Sequence, residues 1–485
     1  MRKGASMVST TSWQQVEARF EQTWGYDDFR PPQDDVIRTL LSKRDALIVM
    51  PTGGGKSICF QLPALLQKGL TLVISPLVAL MENQVQELKQ RQLAAERIHS
   101  ALASYEKKKI LQQIQHNKLR LLYLSPETLL SKRVWDTLCQ PQVIINGLIL
   151  DEAHCLVQWG DTFRPTYRRL GAVRPALLRH KPAGTQLPIA AFTATANPAA
   201  QKTICQVLQL HHPKEVKLSP YRENLHLAVK MVWTPRGRRR AMVNFIKAHS
   251  GQAGLVYVRT RRTAEELTSW LKPQGFSVAA YHAGLASGER RRIETEWLEG
   301  HRQFVVCTSA FGMGINHPTV RWVCHFHAPS TLSEYVQEIG RGGRDGKPVD
   351  ALTLVSEPTG WLDSEDKQRW KFFAAIERKL RQEAKQLVTS LSAAGNIDDV
   401  LQCNRKAATA LALLHSQGQL TWDDPFHYRL QVGQVTKTGE TFDSVKEMKQ
   451  YLFNRKCRWQ RLLMQFGCEA DAQDMKCGHC DNCLH

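Results

Sequence analysis

The sequence predicts an α/β protein. Two tandem, doubly wound parallel-sheet domains are followed by a small helical, winged-helix-like and metal-binding region. Three observations carry this reading. Short β-rich runs alternate with amphipathic helical stretches through the first 356 residues, and these runs fall into two sets of about five. After about Pro358 the pattern gives way to a charged helical stretch, and cysteines then gather at the chain end.

The first set of expected strands is Ala46–Met50, Thr71–Ser75, Leu119–Ser125, Gly147–Leu150 and Ile189–Thr193. The second is Leu255–Val258, Val278–Tyr281, Phe304–Thr308, Trp322–Phe326 and Ala351–Val355. Runs this short, separated by helical patterns, are the mark of βαβ units. The polar stretch His211–Pro220, with prolines at 213 and 220, reads as the join. The expected domains are therefore 1–215, 216–358, a helical insertion at 359–450, and a metal module at 451–485. Within the insertion, Glu365–Leu391 reads as a charged amphipathic helix. Residues 396–431 read as helix, turn, helix and a wing around Asp423–His427, either a winged helix or an ordinary helical packing module.

Composition bounds the function. The chain has 485 residues, 42% hydrophobic and 23% charged, which argues against disordered and fibrous architectures. A formal net charge of +20 favours a polyanionic partner, nucleic acid or an anionic membrane surface. No apolar run approaches the ~18–20 residues of a membrane span, and the first thirty residues lack the apolar core of a signal peptide. An intracellular, cytoplasmic and chromosome-associated protein is expected, with no membrane partner. Twelve cysteines, five of them in the last 29 residues, then suggest metal rather than a disulfide framework.

Three motifs carry chemistry. Thr52-Gly53-Gly54-Gly55-Lys56-Ser57 follows the first strand and opens a helical run. Glycines let backbone amides turn toward a phosphate, Lys56 reaches the β/γ-phosphates, and the Ser57 hydroxyl ligates Mg²⁺. Pro51 stands where the strict motif has its first glycine. Asp151-Glu152-Ala153-His154 ends the fourth strand, where open α/β sheets bind ligands. Asp151 is expected to hold Mg²⁺ and Glu152 to orient and deprotonate the attacking water. In Gln337-Glu338-Ile339-Gly340-Arg341-Gly342-Gly343-Arg344, two arginines three apart are expected on one side of a helical turn, able to neutralise charge on a transferring phosphoryl group.

Together these segments resemble superfamily 2 helicases, and the match narrows to the RecQ family of ATP-dependent DNA helicases. Gly25-Tyr26-Asp27-Asp28-Phe29-Arg30-Pro31-Pro32-Gln33 is similar to that family's adenine-reading motif, with Pro32 where glycine is usual. The resemblance implies that Gln33 reads the adenine edge while Tyr26 and Arg30 sandwich the ring. It likewise implies two RecA-like domains, strand gripping by the Ser75-to-Met81 segment, and coupling of hydrolysis to motion through Thr193 and Thr195. DNA contact is implied at Thr308 and along Ala310–Asn316, followed by His317 where the family carries Lys or Arg. Gln158-Trp159-Gly160-Asp161-Thr162-Phe163-Arg164-Pro165 resembles the family's aromatic loop, whose faces stack on single-stranded bases. Trp159, Phe163 and Arg164 are its expected DNA contacts. Arg344 is favoured over Arg341 as the arginine finger by resemblance only.

The activity this implies is 3′-to-5′ unwinding of duplex DNA in recombination and repair, using ATP and Mg²⁺, on single-stranded DNA and duplex junctions. The competing readings are an RNA helicase with the same core and a strand-annealing protein with a vestigial ATPase. The family places a winged helix after its zinc ligands; here the winged-helix-like stretch precedes them, and no later one is expected before the chain ends at His485. Cys477, Cys480 and Cys483 supply three thiols at zinc-finger spacing. The fourth ligand is open among Cys457, Cys468, His479 and His485; the resemblance favours Cys457, and Zn²⁺ is the expected ion.

Overall fold

The structure is a computed structural model that describes residues 12–158, 160–161, 163–311, 317–388, 391–404, 406–431 and 444–484. The first domain holds seven parallel strands: β1 (Ala46–Val49), β2 (Leu70–Ile74), β3 (Ala95–Ile98), β4 (Leu121–Leu124), β5 (Ile145–Leu150), β6 (Ile189–Thr193) and β7 (Lys214–Lys217). Their order is 3-4-2-5-6-1-7. The second holds six: β8 (Leu225–Val232), β9 (Gly254–Tyr257), β10 (Val278–Tyr281), β11 (Phe304–Cys307), β12 (Trp322–His325) and β13 (Val349–Ser356), in the order 10-11-9-12-13-8 and again parallel. Each sheet is covered on both faces by apolar clusters, as parallel sheets require.

All ten expected strands form, with ends within two residues of expectation. Three more form that the apolar pattern did not show: β3, β7 and β8. Each is an edge strand. An edge is covered less than a central strand, so its sequence keeps polar residues and shows no continuous apolar run. In β7 only Val216 is buried, and this strand occupies the middle of the polar stretch read as the join.

Local chemistry sets the helix starts. Ser12 forms a capping box with Gln15, and Asn197, Thr234, Thr260 and Thr331 each accept a backbone N–H of the first turn. Gly254 in β9 answers to packing: a Cβ there would stand 1.9 Å from the buried indole of Trp322. Burying an indole of this kind contributes about 4–6 kcal/mol.

Beyond β13 the chain forms the helix Glu365–Val388, as expected from its charged amphipathic pattern. A winged-helix-like unit follows: β14 (Ala394–Asn396), the helices Ile397–Cys403 and Ala407–Ser416, β15 (Leu420–Trp422) and β16 (His427–Leu430), with the antiparallel order 14-16-15. The chain ends in a helical module, Ser444–Leu452, Arg458–Gln465, Glu469–Ala472 and Asp481–Leu484. No described helix is long and apolar enough to cross a membrane.

Candidate nucleotide and nucleic-acid site

Strand order builds the site. Because β5, β6 and β1 lie side by side, their C-terminal ends bring the Asp151-Glu152 pair, Thr193 and the glycine loop to one spot. The loop turns at Gly53 (φ 87°) and Gly55 (φ 74°), and the helix Lys56–Leu66 starts immediately after, so Ser57 lies in its first turn. The left-handed φ at Gly55 favours glycine, and a Cβ there would stand 2.2 Å from Gln33 Nε2 and push that amide aside. Gln33 is buried; it accepts from Arg30 N (2.9 Å), and its Nε2 donates to Gly54 O (3.3 Å) and Gly55 O (3.4 Å). The adenine-motif segment and the phosphate loop are thereby one hydrogen-bonded unit. Tyr26 and Arg30 lie exposed at its rim.

Lys56 Nζ donates to the loop carbonyls of Met50 (3.0 Å) and Pro51 (3.4 Å). Burial pulls its pKa down, against the upward pull of Glu152 and Asp151. Burial, with repulsion from Glu152, pushes the Asp151 carboxyl up. Glu152 goes the other way: burial opposes ionisation, but His154, Lys56 and Arg341 hold it low. Burial thus disfavours charge on both carboxylates, while the neighbouring cations favour it most on Glu152. Glu152 itself has φ 52°, a left-handed backbone rare for a non-glycine residue.

The second domain closes onto this spot through the helix Leu332–Ile339 and the turn after it. Gln337 Nε2 donates to His154 Nε2 (2.8 Å) and to Thr195 Oγ1 (3.1 Å). With the amide donating to Nε2, the ring proton sits on Nδ1, which lies 3.1 Å from Thr193 Oγ1 and 3.3 Å from Glu152 Oε2. Thr52 Oγ1 donates to Gly340 O (3.3 Å), a second link across the cleft. The helix ends at Ile339, so Arg341 and Arg344 stand in the following turn, not on one face of a helix as the spacing suggested. Gly340 caps the helix and Gly343 has φ 56°, which breaks the helical path. Both arginines still face the cleft: Arg341 acts electrostatically on Lys56 and Glu152, and burial, together with Arg341 and Arg222, pulls Arg344 down to about 10. Arg222 is a third guanidinium here, donating to Gly340 O (3.3 Å) and to Gly343 O. Sequence reasoning assigned no site role to Gln337, His154 or Arg222. The first two stand inside the acidic and arginine motifs and were legible there; Arg222 carries no local signal.

The expected DNA contacts divide. Phe163 is 73% exposed, and Trp159 lies outside the described residues. Arg164 is committed within the protein: its guanidinium pairs with Glu127 (Nε–Oε1 3.0 Å) and donates to Pro76 O, tying the aromatic loop to the Ser75–Met81 segment. Ser75 is fully buried at the end of β2, and its hydroxyl has no hydrogen-bond partner among the described residues. The exposed residue of that segment is Val78. Thr308 is half-buried beyond β11 and accepts from Ala310 N (3.4 Å). The expected contacts at Gly312–Asn316 lie outside the described residues. His317 is buried against Trp297 (4.3 Å between ring centres), and burial lowers its pKa.

At the chain end, one sulfur each from Cys457, Cys477, Cys480 and Cys483 lie within 4.8 Å of one another. Four thiols so grouped fit a closed tetrahedral Zn²⁺ site. Backbone N–H groups already point at the sulfurs: Cys477 N at Cys457 Sγ and Arg458 N at Cys480 Sγ, each 3.4 Å. Such donors stabilise thiolates. Cys468 and His479 stand outside the group, and His485 lies outside the described residues.

Comparison with known proteins agrees with this layout. Family models match at residues 30–204 (DEAD/DEAH box helicase), 237–346 (helicase conserved C-terminal domain) and 429–484 (RecQ zinc-binding). An ATP-dependent DNA helicase RecQ of Synechocystis is 51% identical over 97% of this chain and 98% of its own length. The chain belongs to the RecQ family of helicases. Other relatives match less of it: the Haemophilus influenzae RecQ is 37% identical over 70% of this chain and 54% of its own, and the probable ATP-dependent DNA helicase RecS of Bacillus subtilis 38% identical over 69% and 65%. Among solved structures, yeast Dbp5 bound to RNA and ADP BeF3 (TM-score 0.58, 17% identity, 74% of this chain and 93% of that one) shares the fold. So does Mycobacterium smegmatis Lhr bound to single-stranded DNA and AMP-PNP (TM-score 0.56, 17% identity, 92% and 63%). In this RecQ-family chain the zinc cluster and both helicase domains are therefore present together.

Proposed function

We propose that this chain is an ATP-dependent DNA helicase that moves 3′ to 5′ along one strand and serves DNA recombination and repair. The observation that carries the reading is the bridge from Gln337 in the second domain to His154, Thr193 and Thr195 in the first. It ties the acidic pair to the opposing domain, so a change in charge at Glu152 alters what holds the cleft shut. ATP lies between the domains. Tyr26 and Arg30 sandwich the adenine and Gln33 reads its edge, while the amides of Thr52, Gly53, Gly54 and Gly55 surround the phosphates. Lys56 exchanges its two loop carbonyls for phosphate oxygens. Ser57 and Asp151 would hold Mg²⁺, which would supply charge neutralisation at the phosphates. Glu152 orients the attacking water and takes its proton. Arg341 and Arg344, with Arg344 as the finger, stabilise charge that develops in the transition state. Phe163, Trp159 and Thr308 meet the DNA strand, while Ser75 and Arg164 support it from within. The zinc is structural, on Cys457, Cys477, Cys480 and Cys483.

The test compares wild type with Gln337→Ala and Lys56→Ala. Lys56→Ala is expected to lose hydrolysis by about 10²–10³-fold while still binding single-stranded DNA. Gln337→Ala is expected to retain basal hydrolysis and to lose most of its stimulation by DNA, with unwinding of 3′-tailed duplexes falling further than hydrolysis does. Equal unwinding of 5′-tailed duplexes, or unchanged stimulation in Gln337→Ala, refutes the proposed polarity or the proposed coupling respectively.

A further inference from the structure

A groove of about 750 Å³ opens beside the second sheet. One wall is the C-terminal edge of that sheet, at Arg259, Ser309 and Ser330; the other is formed by the helices Glu365–Val388 and Ser444–Leu452. Trp370 lines it too, packed on the apolar cluster shared by the second domain and the zinc module. Lys449 Nζ sits 4.5 Å from the centre of the Trp370 ring. Lys367, Lys371 and Lys446 also line the groove, and Phe373 stands 38% exposed at its rim beside the more exposed Phe372. The acid in the lining is Glu334, which faces Arg259 at 4.0 Å and accepts Ser330 N at 2.9 Å. Burial pushes the Glu334 carboxyl up. Four lysines thus line the groove against one carboxylate, with the Lys367 ammonium also donating to Thr359 O at 2.8 Å.

We propose that this groove binds single-stranded DNA as it leaves the second helicase domain. The proposal rests on the reading of the chain as a DNA helicase. Three features support it. Ser309 adjoins Thr308, so a strand lying over Thr308 continues directly into the groove. Lys367 and Lys371 on one helix and Lys446 and Lys449 on the other bring positive charge to the groove for a phosphate backbone, and the exposed ring of Phe373 beside them offers stacking without sequence preference. The volume lies within the ~300–1,000 Å³ range of ligand pockets, enough for a nucleotide. The wall facing the sheet comes from the helices Glu365–Val388 and Ser444–Leu452, so the insertion serves to lengthen the strand path.

The experiment uses the full zinc-loaded chain with fluorescent oligothymidylates of about 8 and about 20 nucleotides, bracketing the ~4–16 nucleotides of a typical strand-binding module. The variants are Lys371→Glu with Lys449→Glu, and Phe373→Ala. The charge reversal is expected to weaken binding of the long oligonucleotide at least tenfold. It should also flatten the log-affinity against log-salt slope by about 1.4, two phosphates at ~0.7 each. Phe373→Ala is expected to weaken the long oligonucleotide about fivefold or more with the slope unchanged. Both variants should bind the short one as wild type does and hydrolyse ATP normally without DNA. Wild-type affinity and slope in both variants, or equal losses on both lengths, overturn the groove. If the long oligonucleotide fails to stimulate wild-type hydrolysis, the helicase reading falls and the groove with it; stimulation with unaltered variants sinks the groove alone.

Discussion

The two small units after the second sheet are held to the motor in opposite ways. The zinc module sits on the second domain. Trp459 Nε1 donates to Leu225 O (3.1 Å), Asp481 accepts from Val229 N (2.8 Å), and Arg458 locks Asp481 to the module's own Tyr451 carbonyl. The winged-helix-like unit sits on the first domain. Arg169 donates to Pro425 O (2.5 Å) and lies under Trp422 and Phe426, and Phe426 meets Trp135 edge-on at 5.4 Å. Asp161 of the aromatic loop pairs with Arg168 (2.7 Å), and Ser416 and Arg381 approach the same carboxylate. Between the units runs the 24-residue helix Glu365–Val388, about 36 Å long at 1.5 Å per residue. Its start is fixed to the second domain, where buried Arg238 pairs with Asp363 (3.0 Å) and Asp366 (2.9 Å). Further along, Leu380 and Leu387 pack on Ala410 and Leu413 of the helix Ala407–Ser416. That last helix holds the place a DNA-reading helix takes in a winged-helix domain. Here it is apolar on most sides and covered, so it serves docking. A shared topology thus says little about which surface is free to bind DNA.

The largest effect expected from breaking this pair of attachments is at the metal. Cys457→Ala should abolish zinc binding and unfold the module, since structural zinc supplies on the order of 10 kcal/mol of folding energy. Metal analysis of purified protein reads it, and Cys468→Ala should keep one zinc per chain. Retention in the first variant and loss in the second would reverse the ligand choice.

A smaller effect is expected at the other attachment. Arg169→Ala removes a buried charged hydrogen bond and two ring contacts, about 2–3 kcal/mol. Hydrogen exchange should then speed up in residues 420–430 while zinc content stays unchanged. Equal protection in wild type and variant would mean that the apolar contacts alone hold the unit. The finest test is a double-mutant cycle on Trp135→Ala and Phe426→Ala. Its expected coupling is about 0.5–1.5 kcal/mol, measured by denaturant unfolding of the docked unit.

Legibility followed the same divide. The zinc module could be read because thiol spacing is a local property, and Cys457 followed from a resemblance that named a helix. The docking of the wing could not: Arg169 looks like any surface arginine, and nothing in Asp423-Asp424-Pro425-Phe426 points to a partner 256 residues earlier. Within the cleft, the residue types and strand ends were readable, whereas the partners of each side chain were not. Arg164 illustrates this. An arginine beside an exposed aromatic suggests DNA, yet Glu127 and Pro76 occupy its guanidinium. Ser75, at the end of β2, and His317, against Trp297, are likewise buried, because burial depends on what packs above a residue.

By itself the sequence determined the central strands, the phosphate loop, the acidic pair, the arginine segment and the cysteine spacing. These rest on periodicity and on chemistry confined to a few neighbouring residues. Only the tertiary structure decided the edge strands, the path from Gln337 through His154 to Thr193, the third cleft guanidinium at Arg222, and the domain each C-terminal unit grips. Each of these depends on contacts between segments far apart in the chain, where neither spacing nor composition carries information and geometry alone selects the partner.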